Sequence, residues 1–280
     1  MTTTGLIIVD THAHLDMDAF AKDRPEAIAR ALKAGVAMMI TVGTSLESSK
    51  KAIELAEKYP EILATVGIHP HDVAGVDKTY IARLAEIASH PRVVAIGEVG
   101  LDFYRNYSPH EAQLQALKWQ LDLAAKLQLP VIIHCRQAEK DMLKLLHDWV
   151  SSRKSPQEES PGVIHCFSGN SDTAHQYLDM GFYLSLGAYI GYTASQSWHH
   201  VIREIPADRL LVETDCPFLP PPSYRGQRNE PSYIPLTVET LARIRDESPE
   251  MVARETTQNA QRLFRFGENN KKDLSKGIAK

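Results

Sequence analysis

Leu6-Ile7-Ile8-Val9-Asp10-Thr11-His12-Ala13-His14 is an apolar run that stops abruptly in polar side chains able to ligate metals. Four consecutive apolar residues read as a buried β-strand, and the i, i+2 spacing of His12 and His14 in extended chain turns both imidazoles to one side. The same local plan recurs down the chain. Further strand-like runs cover Met38–Gly43, Leu63–Ile68, Val93–Glu98, Val131–His134, Val163–His165, Phe182–Leu186 and Leu210–Glu213, which with Leu6–Asp10 makes eight. Most are rich in Val, Ile and Leu with little alternation, as expected of parallel strands covered on both faces.

Helical patterns fill the segments between them. Ser108-Pro109-His110-Glu111 offers an N-cap, a proline at the first helical position and a capping-box glutamate. Leu114, Leu117, Leu121, Ala124 and Ala125 then form an apolar stripe. Asp77 opens another helix, and Gly35 and Gly181 fall just past the ends of two more. Two helical stretches, Pro235–Glu247 and Ser248–Phe264, follow the last strand. Eight β/α units over residues 1–266 have the size and rhythm of a single-domain α/β fold, the TIM (β/α)8 barrel. An open doubly wound sheet would use fewer repeats and a Gly-x-Gly-x-x-Gly turn, which Gly97-Glu98-Val99-Gly100 does not make. Ser151–Pro161 reads as an exposed loop, and the polar, lysine-rich stretch 267–280 as a disordered tail.

Bulk composition narrows the function. The 280 residues are 43% hydrophobic and 24% charged, ordinary for a globular protein with a large core. A net charge of −4 argues against an architectural binder of duplex DNA, so any nucleic acid must be held by a local cluster of arginine and histidine. No window approaches the roughly 20 apolar residues of a membrane span, and the N-terminus carries no basic leader, which points to the cytoplasm, with no membrane association and no obligate protein partner. Three cysteines suit a reducing compartment. Cys135, Cys166 and Cys216 each follow a candidate ligand and, by strand alternation, should face away from it.

His12, His14, Glu98, His134, His165 and Asp215 stand at or near the carboxyl ends of the expected strands, which is where barrels place their active sites. Clustered imidazoles and carboxylates are costly to bury unpaired, and a cation removes that cost. Six ligands exceed the needs of one tetrahedral ion. Glu98 has two oxygens and could bridge two divalent ions, with His12, His14 and Asp215 on one side and His134 and His165 on the other. The mixed nitrogen and oxygen set suits zinc, manganese or magnesium. His69, at the end of the third strand, is a candidate to hold a phosphate or move a proton. Glu213 and Asp102 are candidates to orient ligating histidines. Arg136, Arg225 and Arg228 are candidate phosphate contacts, and Phe103 and Tyr104 candidate base-stacking rings.

Several motifs occur in order from about residue 7 to 266: His12-Ala13-His14, Gly67-Ile68-His69-Pro70, Gly97-Glu98-Val99-Gly100-Leu101-Asp102, His165-Cys166-Phe167-Ser168-Gly169, Glu213-Thr214-Asp215 and Arg225-Gly226-Gln227-Arg228-Asn229-Glu230-Pro231. Together they resemble the TatD family of metal-dependent deoxyribonucleases. The resemblance implies a TIM barrel of the metallo-dependent hydrolase superfamily, metal ligands at the six positions named, and deoxyribonuclease activity, often 3′-to-5′ exonucleolytic on single-stranded DNA. Gln227 and Val99 depart from common family residues, and neither is a ligand position. The expected catalytic set is Asp215 as general base with Glu98 and His69. The competing enzyme reading keeps the metals and changes the bond to an amide, lactone or aminoacyl ester, as in a D-aminoacyl-tRNA deacylase. A metal-stabilised binding module without catalysis is the remaining alternative.

Overall fold

A computed structural model describes residues 6–153, 160–192 and 195–266. The expected tail 267–280 and residues 154–159 of the expected loop Ser151–Pro161 lie outside the described residues. Eight parallel strands pair in chain order: β1 Ile8–Ala13, β2 Val36–Val42, β3 Ile62–Val66, β4 Val93–Asp102, β5 Val131–Arg136, β6 Gly162–Ile164, β7 Tyr183–Leu186 and β8 Leu210–Val212. The ring is joined by a parallel bridge between Ala13 and Cys216. There the His14 amide donates to the Cys216 carbonyl and the Asp215 amide to the His12 carbonyl, each at 2.8 Å. This is the expected TIM barrel.

Nine helices surround the strands among the described residues: α1 Arg24–Lys33, α2 Leu46–Lys58, α3 Lys78–Ala88, α4 His110–Leu127, α5 Glu139–Ser152, α6 Ser171–Asp179, α7 Gln196–Glu204, α8 Ile234–Arg245 and α9 Pro249–Phe264. None is long and apolar enough to cross a membrane. The barrel interior is a packed cluster with residues from every strand, Val9, Ile40, Leu63, Val94, Ile132, Val163, Tyr183 and Leu211 among them. Ala260, Leu263 and Phe264 of α9 belong to the same cluster, so the last helix stoppers the barrel below the site. A second, larger apolar layer lies between the strands and the helices. Most strand residues are therefore buried on both faces, which is why the strand sequences lack alternation.

Two local expectations need correction. Glu98 does not end its strand: β4 continues to Asp102. One extra residue lies between Ile96 and Val99 relative to the facing Val131 and Ile133, and this bulge re-aims Glu98. Ser108 does not cap α4, whose N-cap is Pro109 without a side-chain bond. The Ser108 hydroxyl instead donates to the His71 carbonyl at 2.8 Å and accepts from the Ala74 amide at 3.1 Å, tying two loops together. Asp77 does cap α3, accepting from the Tyr80 amide at 2.9 Å, and Gly35 and Gly181 sit at φ 94° and 86° just past α1 and α6.

Candidate metal centre

Strand pairing brings the donors together at the carboxyl end of the barrel. His12 and His14 leave β1 on one side, with their Nε2 atoms 3.2 Å apart. Asp215 arrives from beyond β8, its Oδ1 3.4 Å from His14 Nε2 and 3.8 Å from His12 Nε2. Asp10, two residues before His12, accepts from the Thr214 hydroxyl at 2.6 Å and its amide at 3.0 Å, locking β1 to the segment that carries Asp215. Burial raises the Asp10 carboxyl to about 7 against these bonds.

Glu98 lies between two groups of histidines. Its Oε2 is 3.4 Å from His12 Nε2 and 3.7 Å from His14 Nε2. Its Oε1 is 2.8 Å from His134 Nδ1, 3.4 Å from His165 Nε2 and 3.5 Å from His69 Nε2. Gly100 (φ 156°) permits this placement, because a Cβ there would run into the His134 carbonyl where β4 and β5 pair. Carboxylates grip the second nitrogens of two histidines. Asp102 Oδ2 lies 3.2 Å from His134 Nε2, and Glu213 Oε1 lies 3.0 Å from His165 Nδ1. Glu213 also accepts from the Cys166 amide at 2.8 Å.

The charges are tightly coupled. Burial alone would raise Glu98, yet His69, His165 and His12 hold it well below the usual carboxylate range. Burial opposes a charged His14, but bonding to Asp215 and the charge of Glu98 lift it to about 9. His165 rises to about 10 against the same penalty, through Glu213 and Glu98. Burial lowers His12 and His69. An isolated buried charge costs several kcal/mol, so histidines this close need an electron-pair acceptor between them. Protons fill that role for some of them; a divalent cation fills it for all. Three donor groups fit such an ion, with atoms within 4.8 Å of one another: His12–His165–Asp215, His12–His14–Glu98 and His69–Glu98–His134.

A fourth group corrects the reading of the cysteines. Cys166 joins His165 and Glu213 within the same distance, because it lies beyond the end of β6 at φ 48°, where strand alternation no longer applies. Cys135 and Cys216 join no such group among the described residues.

A cavity of about 440 Å³ opens over the donors. His14, His69, Glu98, His134, His165 and Asp215 line it with Arg136, and so do Arg105 and His71, which sequence reasoning missed. His71 Nε2 lies 2.9 Å from Asp102 Oδ2, and Asp102 Oδ1 accepts from the Tyr104 and Arg105 amides at 3.0 and 2.8 Å. The doublet His69-Pro70-His71 and the Asp102 turn were the available signals. Arg225 and Arg228 are not in this lining. Arg225 lies 5.9 Å over the Tyr192 ring. Arg228 binds both Asp23 oxygens at 2.6 and 2.8 Å and reaches Glu230 at 3.4 Å. Asn229 brackets the turn after Asp215, its amide donating to the carbonyls of Thr214 at 2.8 Å and Phe218 at 2.7 Å. Phe103 stacks on His110 at 3.8 Å, while Tyr104 lies under Arg136 at 4.1 Å.

A (β/α)8 barrel whose mouth gathers histidines and carboxylates in this way is the architecture of a metal-dependent hydrolase. The family model described as "TatD related DNase" matches residues 9–265. The chain is 39% identical over 260 residues to the metal-dependent hydrolase YabD of Bacillus subtilis, covering 93% of this chain and 100% of that one. It is also 39% identical over 264 residues to the 3′-5′ ssDNA/RNA exonuclease TatD of Salmonella typhimurium, covering 91% and 98%. The crystal structure of the Escherichia coli TatD homologue YjjV superimposes with a TM-score of 0.85 at 30% identity, over 93% of this chain and 98% of that one. The chain belongs to the TatD-related DNase family, and it is a hydrolase of that family.

Proposed function

We propose that this protein is a nuclease that removes nucleotides from the 3′ end of single-stranded DNA or RNA, using two divalent ions held on either side of Glu98. The observation that carries this reading is the division of labour at Glu98: Oε2 faces His12 and His14, and Oε1 faces His134, His165 and His69. His12, His14 and Asp215 would complete one half of the centre, and His134 and His165 the other. Zinc or manganese suits this donor set better than magnesium. When bound, such ions supply Lewis acidity toward the phosphoryl group and toward the attacking water.

The protein groups do the rest. Asp215 faces the cavity as a carboxylate, lowered against burial by the bond to His14 and the charges of His165 and His12, and is the base that takes the proton of the attacking water. His69 lines the same cavity and is kept neutral by burial, placed to contact a phosphate oxygen. Arg136 and Arg105 hold the phosphate chain, since guanidinium matches phosphate oxygens in pairs. Arg228 stands apart from this role because its guanidinium is engaged by Asp23 and Glu230, and Arg225 lies over Tyr192 outside the cavity lining.

The test is metal removal followed by add-back of zinc, manganese or magnesium, with a 5′-labelled single-stranded oligonucleotide. A ladder of products shortened from the 3′ end is expected after add-back and not before. An uncleaved oligonucleotide with every metal, alongside turnover of carboxylic esters or lactones, would overturn the nuclease reading in favour of ester or amide hydrolysis.

A further inference from the structure

Tyr104, Tyr107, Tyr192 and Phe218 are the exposed tyrosine, phenylalanine and tryptophan rings among the described residues. All four lie in connections after β4, β7 or β8, at the end of the barrel that holds the metal-binding donors. Exposed aromatic surface gathered at one mouth marks a binding surface rather than packing. Three of the rings already have polar company. Arg136 and Arg105 lie 4.1 and 5.4 Å over Tyr104, and Arg225 lies 5.9 Å over Tyr192. Tyr107 meets His71 edge-on at 4.8 Å.

Phe218 differs. It is 48% exposed, lines the cavity beside Asp215, and meets His14 edge-on at 5.9 Å. Leu219 (42% exposed) and Met17 continue the same apolar lining. The backbone that carries the ring is held: the Phe218 amide donates to the Asp215 carbonyl at 2.9 Å, and its own carbonyl accepts from Asn229. The same turn therefore places both Asp215 and the base of the Phe218 side chain. Chain order around the barrel puts the β8–β1 seam diametrically across from β4 and β5. The cavity thus has an apolar wall of Phe218, Leu219 and Met17 facing a cationic wall of Arg105 and Arg136.

We propose that Phe218 is the stacking platform for the terminal base of the substrate strand, with Leu219 and Met17 beside it, while Arg105 and Arg136 take the phosphates across the cavity. This rests on the nuclease reading above and adds the residue that selects the substrate's end. Every base has a π-face, so the platform accepts any base with little sequence preference. A paired terminus must first give up its stack and its partner, so the platform favours an unpaired end.

The test compares one oligonucleotide with an intact 3′-terminal nucleotide and another whose terminal residue is abasic, for wild type, Phe218→Ala and Phe218→Tyr. Base–aromatic stacking is expected to make the intact end better by on the order of 10- to 100-fold in kcat/KM for wild type, mostly through KM. Phe218→Tyr should keep that ratio, and Phe218→Ala should bring it close to one. A second readout uses 3′-terminal 2-aminopurine, whose fluorescence falls on stacking: metal-free wild type should quench it and metal-free Phe218→Ala should not. If Phe218→Ala slows both oligonucleotides equally, the ring acts only by placing Asp215 and the proposal is overturned. A wild type that cleaves both ends equally well overturns it too. Cleavage of neither oligonucleotide by wild type would remove the nuclease reading, and this inference with it.

Discussion

The two oxygens of Glu98 face two differently built halves of one centre. On the Oε2 side, His12, His14 and Asp215 come from a single seam, where β1 meets the segment after β8. Backbone bonds hold that seam, with Asp10 and Thr214 clasped beneath it and Asn229 outside it. On the Oε1 side, His134, His165 and His69 come from β5 and from the segments after β6 and β3. His134 and His165 follow the paired Ile133 and Ile164 of β5 and β6, and His69 comes from a separate loop. Two are steadied by carboxylates, Asp102 for His134 and Glu213 for His165. One half hangs on the closing seam and the other on β5, β6 and the β3 loop with two carboxylate partners, so substitutions should separate them.

Glu98→Gln touches both halves and should have the largest effect. Loss of several kcal/mol of metal-based stabilisation corresponds to a fall in kcat on the order of 10³-fold. Steady-state kinetics on a single-stranded oligonucleotide checks this, and a fall below tenfold would rule out a shared role for Glu98. Asp102→Asn and Glu213→Gln act first on His134 and His165 of the Oε1 half. Removing such partners weakens metal affinity or activity by about 10- to 100-fold. Metal titration should show one weakened site and one unchanged site in each variant; equal weakening of both would mean that the halves are not independent.

The smallest effect is on stability, and its sign follows from the raised histidines. In the metal-free protein His14 titrates near 9 and His165 near 10, both above the ordinary 6.5. Their stabilisation is complete below the unfolded value of 6.5 and is lost as pH rises through about 9 to 10. Bound metal replaces those protons. The increase in Tm on adding manganese or zinc should therefore grow between pH 6.5 and 9. Thermal melts at constant ionic strength measure it, and a metal increment that shrinks with rising pH would contradict the assignment.

The sequence revealed most of the first half and less of the second. The i, i+2 histidines and the apolar runs made the barrel and its mouth legible, because strand periodicity and β/α rhythm are local. The bulge that turns Glu98 inward depends on how β4 registers against β5, which no short window contains. Arg105 and His71 enter the cavity through the loops after β4 and β3, which meet at Asp102 and Ser108. Arg228 looked like a phosphate ligand from its motif, yet it pairs with Asp23, 205 residues earlier. Charge alone does not tell a clasp from a binding group when the partner is so remote.

Calorimetric titration of metal-free protein with manganese or zinc, run beside the Asp215→Asn variant, bears on the shared carboxylate at the root of this account. Two ions per chain are expected for wild type, and one tight ion for Asp215→Asn, whose Oε1 half is intact. A single ion per chain in the wild type, retained in Asp215→Asn, would contradict it.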